Sequence, residues 1–167
     1  MGTVIRAQTA DDIDAVAAVH VRSTRAGYAG IMPAGHLAAL DPAVFAARRR
    51  SVLAESDRHT LVAERDGRIV GFVSFGPDRE VATLGELYAI YVAPDAWGTE
   101  AGRLLFEAAR DALRDRHYPE MRLWVLAANE RARRFYERAG MTTDGVAVTH
   151  RAAAGIELPK LRYRRPL

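Results

Sequence analysis

The sequence predicts an α/β fold, a sheet of mixed strand direction with helices on both of its faces. Three observations carry this. An Asp66-Gly67 turn sits between two short apolar runs, 60–64 and 69–73, which pair as a hairpin. Leu104, Leu105, Ala108, Ala109, Ala112 and Leu113 recur at i, i+4 spacing, the period of a helix with one buried face. Along the chain the segments run strands, helix, strand, helix, strands, an order that lays helices over both faces of one sheet.

Val4-Ile5-Arg6-Ala7 reads as a short first strand. Thr9 and Asp12 form a capping pair, after which Ile13, Val16, Ala17 and His20 continue at helical spacing. This helix runs out near Gly27 and Gly30, and a loop leads on to Ile31-Met32-Pro33. Asp41-Pro42 is a cap followed by an N1 proline, starting a helix that carries Val44, Phe45, Val52 and Leu53. The hairpin follows, then a long strand over 84–92 ended by Pro94, then the helix of Leu104 and Leu105. Residues 121–126 are strand-like, and 129–138 are helical and stopped by Gly140. The tail over 141–165 reads as two strands separated by 152–155.

Composition narrows the function classes. At 167 residues the chain has the length of one ordinary domain, 1–167. Cysteine is absent, which excludes disulfides, thiolate nucleophiles and Cys-ligated metal centres. His20, His36, His59, His117 and His150 lack metal-ligand spacing, so no metal is expected. The hydrophobic fraction of 49% includes 31 alanines, so large apolar side chains are scarcer than it suggests. The 24 basic residues are 23 arginines and Lys160, against 21 acids, for a net charge of +3. That excess reads as GC-rich, bacterial coding more than as an electropositive surface. Arg48-Arg49-Arg50, Arg131/Arg133/Arg134 and Arg162/Arg164/Arg165 read as solvated faces balanced by acids rather than as a nucleic-acid footprint. With no signal-peptide pattern and no apolar run of about 18 residues, a cytoplasmic protein without a membrane partner is expected. Gly71-Phe72-Val73-Ser74-Phe75-Gly76 has one residue too many before its serine for a hydrolase nucleophile elbow, and lies within a strand.

Two segments carry chemistry. Leu84-Gly85-Glu86-Leu87-Tyr88-Ala89-Ile90-Tyr91-Val92-Ala93-Pro94 feeds into Trp97-Gly98-Thr99-Glu100-Ala101-Gly102-Arg103-Leu104-Leu105: a strand, a small-residue loop and a helix start. Such a loop aims free N–H groups and the positive helix end at an anion, typically a pyrophosphate. Downstream, Leu123-Trp124-Val125-Leu126-Ala127-Ala128-Asn129 precedes Ala132-Arg133-Arg134-Phe135-Tyr136-Glu137-Arg138-Ala139-Gly140-Met141.

This second run resembles the strand, Asn and Ala-x-x-Phe-Tyr-x-x-x-Gly-Met helix of the GNAT superfamily of acyl-CoA N-acetyltransferases. The first resembles that superfamily's cofactor motif, and the resemblance covers nearly the whole chain in order. It implies a single-domain GNAT-like fold, a mixed, mostly antiparallel sheet of about six to seven strands, and transfer of an acetyl group from acetyl-CoA to a primary amine. It implies pantetheine along the backbone of Ile90, Tyr91 and Val92, and the pyrophosphate on the 98–103 loop of Gly98, Thr99, Glu100, Ala101, Gly102 and Arg103. It also implies that Asn129 reaches the pantetheine amides, that Tyr136 is the general acid for the departing thiolate, and that Glu86 is a carboxylate base. A bulge in the fourth strand would free one N–H for the oxyanion. Arg103, Arg133 and Arg134 lie near enough to the motifs to meet CoA phosphates, and His20 and His36 fall where related enzymes shape the acceptor pocket. The family is compatible with a homodimer.

The chain departs from the motif twice. Trp97 replaces the usual Gln or Arg, and Glu100 replaces a Gly, bringing a like charge toward the pyrophosphate unless its side chain turns away. Two other function classes stay open: a CoA-binding regulatory or sensing module with little catalysis, and a tRNA-directed acetylating toxin. The acceptor is unnamed by Arg22, Arg25, Tyr28 or His36.

Overall fold

Asp66 and Gly67 both take left-handed backbone, φ 51° and 73°, the conformation a tight turn between twisted strands requires. The hairpin they close lies within a seven-stranded sheet in the computed structural model, which describes residues 2–55, 57–152 and 155–167. The strands are β1 (Val4–Ala7), β2 (His59–Arg65), β3 (Arg68–Pro77), β4 (Gly85–Val92), β5 (Glu120–Leu126), β6 (Thr142–Arg151) and β7 (Glu157–Pro166). The helices are α1 (Ile13–Gly27), α2 (Ala34–Ala38), α3 (Pro42–Val52), α4 (Ala101–Asp115) and α5 (Glu130–Arg138). The strand order is β1-β2-β3-β4-β5-β7-β6, and every neighbouring pair is antiparallel except β4 with β5. The expected separator of the last two strands, 152–155, falls partly on residues 153 and 154, which lie outside the described residues.

The two faces are covered by different helices. Leu105, Phe106, Ala109 and Leu113 of α4 bury against Val73, Phe75, Leu87, Met121 and Leu123. Val16 and Val19 of α1 bury against Val62 and Phe72 on the other face, and Ala46 ties α3 to Ile13 and Ala17. The start of α1 is built as its sequence suggests. Thr9 donates its N–H and its hydroxyl to Asp12 Oδ2 at 2.8 and 3.0 Å, and Arg6 closes on the same carboxylate at 2.7 and 3.0 Å. The Arg6 guanidinium holds the Asp12 carboxyl well below the usual range.

Helix α2 stands where the sequence reads as a loop. Five residues are too few to show a helical period, and its end is held from outside, by Arg25 donating to the carbonyls of Leu37 and Leu40 at 3.1 and 2.6 Å.

Leu105→Ala opens a cavity in a fully buried site and lowers the unfolding free energy by about 2–5 kcal/mol, read by urea denaturation. Asp12→Asn destabilises at neutral pH. Because the folded pKa is depressed, that penalty is full above the unfolded carboxyl value near ~4. It shrinks as pH falls below it and vanishes once pH passes the lower folded value, which urea melts between pH 7 and pH 3 follow.

Candidate active site

β4 pairs with β5 at two positions, Gly85 with Met121 and Glu86 with Arg122, and then the strands part. Both stay anchored on their far sides, β4 to β3 and β5 to β7 along its whole length. The parting therefore opens a cleft whose facing edges carry backbone groups with no strand partner. Tyr88 is an extra residue in β4, since Leu87 lies opposite Phe75 and Ala89 opposite Ser74; the bulge implied by the family resemblance is present. A cavity of about 960 Å³ fills the cleft. Of the residues expected at the cofactor and catalytic site, all but Glu86, Ala101, Arg133 and Arg134 line it.

The loop after β4 is shaped by its own side chains. Gly98 has φ 78°, a left-handed conformation that favours glycine. Trp97 donates its Nε1–H to the Val92 carbonyl at 2.7 Å, and Thr99 donates to the Ala96 carbonyl at 2.7 Å. Glu100 sits at φ −71°, ψ −9°, ordinary right-handed backbone, so the glycine it replaces is not needed for conformation. Its carboxylate accepts from the Thr3 hydroxyl at 3.0 Å, a tie to the chain's start. Gly102 serves packing: a Cβ there would come within 3.3 Å of the Phe135 ring. The first N–H groups of α4 have no intrahelical acceptor, and they begin at this loop.

Helix α5 forms the opposite wall. Asn129 caps it, accepting from the Ala132 N–H at 3.1 Å, which leaves its amide NH2 to donate elsewhere. Tyr136 is buried, and that burial, followed by the nearby Tyr28, pushes its phenol above the usual range. Tyr91, also raised by burial and by Tyr28, completes a group of three tyrosines drawn from α5, β4 and the end of α1.

Arg133 turns away. It donates to the Ala127 carbonyl and to the Tyr163 hydroxyl, both at 3.2 Å. Arg131 faces the cavity instead, its guanidinium 3.6 Å from the Trp97 ring centroid. Helix phase carries this signal: Arg131, Phe135 and Arg138 follow i, i+4, i+7 on the cavity side, and Arg133 is out of phase. Arg134 pairs loosely with Glu130, at 3.9 Å.

Glu86 is 2% exposed, and Arg79 closes on it with Nε at 2.8 Å from Oε2 and Nη2 at 3.2 Å from Oε1. Burial raises the Glu86 carboxyl and Arg79 opposes the rise. Arg79, rather than Glu86, reaches the cavity. No motif pointed to Arg79, which lies in the connection between β3 and β4. Arg22 and Arg25 are committed elsewhere, to Asp95 at 3.0 Å and to the end of α2.

The model of the Acetyltransferase (GNAT) family matches residues 25–141, which span the parted strands, the loop and α5. This chain belongs to that family. The match makes it an acyltransferase, and named relatives agree. The uncharacterised N-acetyltransferase YuaI of Bacillus subtilis is 34% identical over 128 residues, covering 75% of this chain and 72% of that protein. A mycothiol acetyltransferase of Thermomonospora curvata is 39% identical over 94 residues, covering 55% of this chain and 30% of that protein's length. Among solved structures, the PaiA N-acetyltransferase of Thermoplasma acidophilum in complex with coenzyme A has a TM-score of 0.79 at 19% identity, over 100% of both chains. It shares the GNAT fold. So does YncA of Salmonella typhimurium with acetyl-CoA, at TM-score 0.75 and 20% identity over 100% of this chain and 95% of that one. Among the described residues no helix is long and apolar enough to cross a membrane, and no group of side chains is arranged to hold a metal ion.

Glu100→Gln removes a charge whose side chain is tied to Thr3. Acetyl-CoA affinity, measured by calorimetry, changes by less than about fivefold, the scale of an exposed charge.

Proposed function

We propose that the chain transfers the acetyl group of acetyl-CoA to a primary amine by direct attack, with Tyr136 as the general acid. The parting of β4 and β5 over a cavity of about 960 Å³, with a buried tyrosine on its wall, is the observation that supports this most. The residues suit the cosubstrate. The edge of β4 at Ile90, Tyr91 and Val92 meets no neighbouring strand and offers backbone groups to the pantetheine amides, apart from the Val92 carbonyl, which Trp97 already holds, with the Asn129 amide beyond. The Gly98–Arg103 loop and the first turn of α4 offer N–H groups to the pyrophosphate, and Arg103 and Arg131 line the same cavity. When bound, acetyl-CoA supplies a thioester whose carbonyl carbon takes the amine nitrogen and whose sulfur leaves.

Tyr136 is raised above the usual phenol range by burial, so it keeps its proton through neutral and mildly alkaline pH, as an acid for a thiolate must. The bulge at Tyr88 frees a backbone donor for the charge that develops on the carbonyl oxygen. Glu86 is closed upon by Arg79 and stands off the cavity wall, which favours a positioning role: it holds Arg79 at the cavity. The attacking amine then gives its proton to solvent through the open cleft. The mycothiol in the name of the Thermomonospora curvata relative belongs to a protein of which this chain covers 30%, and it does not transfer to this chain.

Tyr136→Phe lowers kcat for thiol release by about 10²-fold or more while the KM for acetyl-CoA stays close to wild type. Unchanged turnover would remove Tyr136 from the mechanism. In the wild type, kcat shows no phenol titration up to pH ~10, the ordinary tyrosine value. Glu86→Gln raises the acceptor KM with little change in kcat; a lower kcat together with loss of the acid limb of the pH profile would instead make Glu86 the base.

A further inference from the structure

A second cavity, of about 650 Å³, adjoins the first and shares Arg79, Tyr88 and Ala89 with it. It is bounded by α1, α3, the start of β2 and the β4 bulge. An amine at the parting of the strands therefore has room for the rest of its molecule on this side. The walls are cationic: Arg48, Arg49, Arg58, Arg79 and Arg116 line the cavity, and no acidic side chain is among its described lining residues.

Most of these cations are occupied. Arg79 is held by Glu86, Arg58 lies 3.6 Å from Glu55, and Arg116 donates to the Ala112 carbonyl at 2.9 Å. Arg49 differs. Its guanidinium lies 4.2 Å from the centroid of the Phe72 ring, and its Nε is buried with no hydrogen-bond partner among the described residues. Burial, with Arg58 adding to it, pulls its pKa down to about 10. Beside it His20 packs its ring against Phe45, Phe72 and Tyr91 at 4.6, 5.5 and 4.5 Å, and its Nδ1 is likewise buried without a partner. Burial and the arginines push His20 down to about 4, so it is neutral at pH 7.

Arg49 is half-buried, and a guanidinium whose buried Nε–H meets no acceptor is destabilising unless something supplies the negative charge. We propose that the acceptor supplies it: this cavity is a subsite for an oxyanion carried by the acceptor amine, gripped by Arg49, so the substrate class is acidic amines and not polyamines. The proposal rests on the acetyl-transfer reading above and adds the chemistry of the acceptor's far end. A carboxylate or a phosphate presents the planar or tetrahedral oxygens that a guanidinium fork engages, and a cationic tail would meet five arginines.

The test pairs α-amino acids with their amides, and amino-sugar phosphates with their unphosphorylated sugars, in a thiol-release assay with saturating acetyl-CoA. The wild type favours the anionic member of at least one pair by about tenfold or more in kcat/KM. Arg49→Met, which keeps an unbranched apolar stem and removes the charge, brings that ratio to within about threefold through the acceptor KM, with the KM for acetyl-CoA unchanged. Which pair responds tells carboxylate from phosphate. In parallel, acetate and inorganic phosphate are titrated into both proteins and followed by NMR; saturable binding lost in Arg49→Met supports the subsite even where no amine is acetylated, in which case acetyl transfer is the reading that fails. Equal kcat/KM within every pair, or no saturable binding of either anion, overturns the subsite and leaves acetyl transfer standing.

Discussion

The two-residue contact between β4 and β5 is the constraint on which the site depends. Every other neighbouring pair in the sheet is antiparallel, and β4 and β5 run parallel only from Gly85 and Glu86 to where they part. Because each strand is held on its other edge, the gap stays open and its edges keep unused backbone donors and acceptors. Left in water these are merely solvated. Facing a ligand that offers amides of its own, they become a strand-like docking edge. The Arg79–Glu86 pair lies at the root of the parting, where a buried carboxylate meets a guanidinium that also reaches both cavities.

Around that opening the elements divide the labour by direction. α4 brings its N-terminus and the Gly98 turn to one side, α5 brings Asn129 and Tyr136 to the other, and α1 with α3 covers the far face. The departures from the usual loop are absorbed locally. Trp97 spends its N–H on Val92 and its ring on Arg131, and Glu100 turns its carboxylate to Thr3. The arginine excess sorts in the same way: Arg50 pairs with Asp14 at 2.8 Å, Arg162 with Asp144 at 2.7 Å, and Arg49 is left to a half-buried position over the Phe72 ring.

The order of elements, the Asp66-Gly67 turn, the capping pair of α1 and both motif segments were legible in the sequence, because each is a local preference written within a few residues. So was the grouping of Tyr91, Gly98, Asn129 and Tyr136, through family resemblance and not through spacing. α2 was not legible, being too short for a period and held by a distant arginine. Arg131 could have been told from Arg133 by helix phase against Phe135, its i+4 neighbour on the cavity side. Arg79 and the singular position of Arg49 could not, since one lies in a connection and the other in a run of three alike residues.

The sequence by itself determined which segments become strands and helices and which residue types can serve acyl transfer; those follow from short-range sterics, hydrogen bonding and motif chemistry. Only the tertiary structure decided where β4 and β5 separate, that Glu86 is shut against Arg79, and that two cavities meet at the Tyr88 bulge. Those outcomes depend on residues far apart in the chain competing for the same partners. Whether a charge ends in water, in an ion pair or buried with an open donor is settled by that competition and not by its neighbours in sequence.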